Sequence, residues 1–112
     1  MTTASTIDRT VDLQLPQVTG QQRQTILEQL GRMNRMSIDG LRPATPTWRG
    51  VELTCGYGYR VRIELEPNDT YTVSRLFHRS GRYTLKGQQT DVYWPELPEV
   101  AYRAGMFRDE WV

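Results

Sequence analysis

Tyr59-Arg60-Val61-Arg62-Ile63-Glu64-Leu65-Glu66 alternates between apolar and charged side chains without a fault. A period of two belongs to a β-strand, where successive side chains leave opposite faces. Val61, Ile63 and Leu65 therefore share one face, and Arg60, Arg62, Glu64 and Glu66 share the other. A ribbon greasy on one side and charged on the other fits an antiparallel sheet with one covered face.

Reading outward, the flanking segments have the same character. Val51, Leu53 and Cys55 alternate on a preceding strand, and Gly56-Tyr57-Gly58 has the composition of a tight turn. After the ribbon, Pro67-Asn68-Asp69-Thr70 carries turn chemistry. The chain returns through Tyr71–Phe77 with Tyr71, Val73 and Phe77 inward. That phase also points Arg75 inward, so a bulge near Arg75 is expected to shift the register. Arg79-Ser80-Gly81 turns once more, and Arg82–Lys86 reads as the last strand, ending before Gly87.

Helices are expected at both ends. Thr19 with Gln22 forms a capping-box pattern ahead of the stripe Ile26, Leu27, Leu30 and Met33, in a helix ending near Asn34. Met36 and Ile38 suggest a short strand. Pro43 and Pro46 suggest an irregular loop carrying Trp48. A C-terminal helix is expected from Thr90 or Asp91, with Asp91 as its cap, Leu97, Val100, Ala101 and Ala104 as its stripe and Gly105 at its end. The fold class is α+β: an antiparallel sheet of about 4–5 strands, with an N-terminal and a C-terminal helix packed on one face.

The chain has 112 residues, Lys+Arg 14 against Asp+Glu 13, and a formal net charge of +1. That length fits one domain, placed at residues 19–112. Residues 1–18 form an N-terminal extension or edge strand, in which Val11, Leu13 and Leu15 alternate. One cysteine and one histidine exclude a disulfide framework and a Cys/His zinc cluster. No metal or cofactor is expected. The sequence lacks a membrane-length apolar run and a secretory leader pattern, so the cytoplasm is the expected compartment.

Residues 26–109 carry a set of short sequence words: Leu30-Gly31-x-Met33-Asn34, Ile38-x-Gly40, Gly58-Tyr59-x-Val61, Asp69-Thr70-Tyr71-Thr72-Val73, Lys86-Gly87, Asp91-Val92-Tyr93 and Glu99-Val100-x-Tyr102-x-Ala104. In combination they resemble a widespread group of small bacteriophage and prophage proteins, common in phages of actinobacteria. The resemblance brings no activity. It implies a phage origin, action in the bacterial host cytoplasm and an accessory role.

A catalytic constellation is missing. His78 and Ser80 share a hairpin, but no carboxylate is placed to orient the imidazole, and a hairpin tip holds geometry poorly. The expected function is therefore non-enzymatic binding of a protein, either a second copy or a host factor. Trp48, Phe107 and Trp111 are the expected anchors, and Arg79 and Arg82 the rim charges. An alternative is a nucleic-acid-binding module using Arg60, Arg62, Arg75, His78, Arg79 and Arg82. Against it, Glu64 and Glu66 share the sheet face of Arg60 and Arg62, which favours cross-strand ion pairing. A third reading is sequestration of a small anionic ligand. Glu96 and Glu99 could share a cation, but lack further ligands.

Overall fold

Thr19 starts the first helix in the way its sequence predicts. Its hydroxyl accepts from the Gln22 backbone N–H at 3.0 Å, and the Gln22 side chain accepts from the Thr19 N–H at 2.8 Å. In the computed structural model, which describes residues 15–111, this helix is α1, Gly20–Leu30. It stops at Gly31, whose φ of 86° is a conformation that L side chains resist. A separate helix α2, Arg32–Asp39, follows at once. The strand expected at Met36 and Ile38 is thus corrected to helix. Two apolar residues cannot separate a period of two from one of 3.6, and here Ile38 is buried while Met36 is exposed.

Five strands follow: β1 Thr45–Thr47, β2 Gly50–Thr54, β3 Tyr59–Leu65, β4 Tyr71–Arg79 and β5 Arg82–Val92. They form one antiparallel sheet in the order β1-β2-β3-β4-β5. Pro46 lies in β1, opposite Val51; the loop expected there is a short strand because an edge position can spare the missing N–H. Gly50 admits no side chain, since a Cβ would lie 1.9 Å from the Ile63 carbonyl oxygen. A 3₁₀ turn, Trp94–Glu96, leads into helix α3, Leu97–Gly105.

β5 runs past Gly87 to Val92, so the last strand is longer, and the last helix later, than the sequence suggests. Gln88, Gln89 and Thr90 show no apolar alternation because β5 is an edge strand with little to bury. Asp91 lies within this strand at φ 56° and does not cap the helix. Pro98 near the start of α3 explains the late onset, since proline is tolerated in a first helical turn.

All three helices pack on one sheet face. Ile26 and Leu30 of α1, Ile38 of α2 and Leu97, Val100, Ala101 and Ala104 of α3 join Val51, Leu53, Val61, Ile63, Tyr71 and Val73 in one core. Val61 and Ile63 are fully buried, each contributing about 2 kcal/mol through its apolar area.

Arg75 also lies on this covered face, opposite Val61 in the β3–β4 register. The expected bulge exists, but between β4 and β5: Arg75 pairs with Gly87 and Leu76 with Leu85, leaving Lys86 as the extra residue. It does not carry Arg75 outward. The buried guanidinium instead donates to the carbonyls of Ala104 (2.7 Å), Arg103 (3.0 Å), Met106 (2.9 Å) and Asp109 (2.9 Å). It ties down the end of α3 and the segment beyond, satisfying carbonyls that a helix terminus leaves unpaired.

At the other end, Leu15 and Pro16 are held by the β1–β2 connection. The Trp48 indole N–H donates to the Leu15 carbonyl at 2.7 Å, and the Arg49 guanidinium donates to that of Pro16. The Val11 and Leu13 part of the expected N-terminal strand lies outside the described residues. Among the described residues, no helix is long and apolar enough to cross a membrane.

Candidate functional site

The face opposite the helices holds a buried polar network. Pairing across the strands places Glu52, Arg62, Ser74 and Gln88 in one row, and Thr54, Arg60, Leu76 and Leu85 in the next. His78 and Tyr83 form the row beyond. Glu52, Arg62 and Ser74 are buried although their face carries no helix in the core.

Glu52 is the hub. Its Oε1 accepts from Arg62 Nε at 3.1 Å and Arg62 Nη2 at 2.8 Å. Its Oε2 accepts from the Tyr83 hydroxyl at 2.8 Å and from Arg60 Nη1 at 3.4 Å. Both Arg62 donors converge on the one oxygen, and each bond is charge-assisted. The Tyr83–Glu52 bond joins β5 to β2 across two intervening strands, which a flat sheet would not allow; the sheet must curl around this network. Burial, and then the hydrogen bond to Glu52, raises the Tyr83 phenol above its ordinary pKa.

The His78 and Tyr83 rings pack at 4.4 Å between centroids, tilted by 31°, and the Arg62 guanidinium lies 5.1 Å from the Tyr83 ring centre. Arg60 Nη2 lies 3.4 Å from His78 Nδ1. A guanidinium has no acceptor, so in this contact Nδ1 accepts. His78 is thus engaged with Arg60, while Ser80 is exposed in the turn at φ 53°.

Cross-strand pairing of Arg60 and Arg62 is present, but with Glu52. Glu66 accepts from the Thr72 hydroxyl at 2.7 Å. Sequence reading missed Glu52 and Tyr83. A hairpin centred on Tyr57 pairs residues whose numbers sum to 114, which sets Glu52 opposite Arg62; that signal was present in the turn.

The six residues of the nucleic-acid alternative do not share one surface. Arg60, Arg62 and His78 belong to the polar face and Arg75 to the covered face. Arg79 and Arg82 are exposed and face each other at the hairpin end.

The three aromatic anchor candidates make contacts within the chain. Phe107 stacks on Tyr59 at 4.6 Å with an interplanar angle of 9°. Trp111 packs against the core, with the Arg75 guanidinium 5.6 Å from its ring centre. Trp48 is held through Leu15.

Glu96 accepts from the Tyr93 N–H at 3.2 Å, and Glu99 pairs loosely with Arg103 at 3.9 Å. Among the described residues, no group of three or more His, Cys, Asp or Glu side chains is arranged to hold a metal ion.

Comparison with known proteins returned no matching family model, curated protein or solved structure. The functional reading rests on this geometry.

Proposed function

We propose that the protein is a non-enzymatic accessory protein that acts by binding another protein through the outer surface of the α2–α3 pair. One observation carries this reading. Met33, Met36, Tyr93, Trp94 and Tyr102 are exposed, Met33 to 74% and Trp94 to 61%. Aromatic residues and methionine are enriched at interface cores, where they bury large areas at modest entropic cost.

The helices hold this surface together. The Asn34 amide donates to the Pro98 carbonyl at 2.8 Å, fixing α2 against the start of α3. Met33 adjoins Asn34 in sequence. Pro98 and Tyr102 lie four residues apart on α3, a spacing that aligns them along one side of the helix, and Trp94 stands in the 3₁₀ turn that leads into it. Trp48, Phe107 and Trp111 have partners inside the chain, as does the exposed Tyr57, whose ring centroid lies 6.0 Å from that of Phe107; Met33, Met36, Tyr93, Trp94 and Tyr102 are the more available set. The resemblance to phage proteins supports a partner in the bacterial cytoplasm. The nucleic-acid reading is weaker, because its arginines divide between two faces and Arg62 is neutralised by Glu52.

The test is capture from bacterial host lysate, with light scattering to detect self-association. Wild type should retain a defined protein partner or form a defined oligomer. Met33→Ser with Trp94→Ala should lose it, and Arg79→Ser in the exposed turn should not. A wild-type monomer without any partner lost by the double variant would refute the proposal.

A further inference from the structure

After α3 closes at Gly105, the chain turns across the covered face. The Phe107 N–H donates to the Gly105 carbonyl and the Asp109 N–H to that of Met106, each at 2.9 Å. Arg75 holds the segment through the carbonyls of Met106 and Asp109, and Phe107 lies flat on Tyr59. On the neighbouring strand, Gly87 stands opposite Arg75 and adds no side chain to that row, and the bulge beside it carries Lys86. A bulge re-aims a side chain, and bulges are common beside sites. Between this segment and the sheet lies a cavity of about 320 Å³, walled by the rings of Tyr59, Phe107 and Trp111.

Five charged residues complete the lining: the cations Arg75, Lys86 and Arg108, and the acids Asp109 and Glu110. Among the described residues, ion pairs join Arg35 to Asp39, Arg60 and Arg62 to Glu52, and Arg103 to Glu99. None joins a cation of this cavity to either of its acids. Arg75 is buried with carbonyls as its partners, and Arg108 lies over the rings of Tyr57 and Phe107. Lys86, Asp109 and Glu110 are exposed at the rim. A simple anion here would lie beside two carboxylates, and a simple cation beside three cations, each against like charge. A ligand that carries both charges meets neither penalty.

We propose that this cavity binds a small zwitterion, an α-amino acid with an aromatic side chain. Its carboxylate meets the Lys86 ammonium, with the buried charge of Arg75 behind. Its ammonium meets the carboxylates of Asp109 and Glu110, and its ring packs beside Trp111. The volume lies at the lower end of small-molecule pockets, which run from about 300 to 1,000 Å³. The wall is set before a ligand enters, because Arg75 and the Tyr59–Phe107 stack already fix the segment, which lowers the entropic cost of binding. This inference is independent of the α2–α3 surface.

The experiment titrates the full chain with phenylalanine at constant ionic strength and follows the NMR signal of the Trp111 indole N–H. Three further probes are 3-phenylpropionate, which lacks the ammonium, 2-phenylethylamine, which lacks the carboxylate, and glycine, which lacks the ring. Phenylalanine should move the signal saturably. Each half-charged analogue should bind about tenfold more weakly or worse, having lost one charge-assisted contact, and glycine should also bind more weakly. Lys86→Met, and Asp109→Asn combined with Glu110→Gln, change exposed side chains and should keep native circular dichroism. Each should weaken phenylalanine about tenfold. No saturable response to phenylalanine, any of the other probes binding as tightly, or unchanged affinity in both variants would overturn the site.

Discussion

Each sheet face buries a guanidinium, and the two do so by different means. On the covered face, Arg75 is solvated by neutral backbone carbonyls from the end of α3 and the segment after it. On the polar face, Arg62 is neutralised by the buried carboxylate of Glu52. Carbonyls of a terminal segment can turn to water when their partner is lost. A carboxylate locked between strands cannot, nor can the Arg62 guanidinium beside it. The covered face should therefore tolerate loss of its arginine better than the polar face tolerates loss of its acid.

The largest effect is expected for Glu52→Gln, which removes the carboxylate that Arg60 and Arg62 share. Breaking a buried pair from one side costs about 3–5 kcal/mol, read as a lower urea midpoint. Adding Arg62→Met should restore part of the loss, because the stranded charge then disappears. Arg75→Met comes next, at about 2 kcal/mol, with a red shift in Trp emission as the Trp111 segment detaches. If Arg75→Met costs more than Glu52→Gln, the contrast between the two faces fails.

The smallest effect belongs to Cys55, which packs against the helix-covered core. Burial, reinforced by the negative charge of Asp39, pushes its thiol from 9.0 up to about 11. Alkylation at mildly alkaline pH should be on the order of tenfold to a hundredfold slower than for an unfolded control. The unfolded chain releases this proton at lower pH than the folded one. The stabilisation is thus complete below about pH 9 and is lost as pH rises toward about 11. Cys55→Ala should flatten that stretch of the stability curve. An equal slope in both proteins would show that the thiol is not shielded by the core.

Much of the fold was legible because it depends on local signals. The two-period ribbon fixed β3 and its buried side, the capping box fixed the start of α1, and the turn residues fixed the hairpins. Errors fell where local signals were short or silent: two apolar residues in α2, a proline in an edge strand, and polar residues along the outer half of β5. The candidate site was half legible. Alternation put Arg60 and Arg62 on the polar face, but Glu52 and Tyr83 became their partners only through register and curl.

Composition and periodicity by themselves determined an α+β chain with one greasy sheet face shielded by helices from both ends, because burial of alternating apolar residues follows from spacing alone. Tertiary structure decided which charges meet. It sent Arg75 to a helix terminus and gave Glu52 to Arg60 and Arg62 together. Contacts between residues distant in sequence depend on strand register and sheet curvature, which no local pattern encodes.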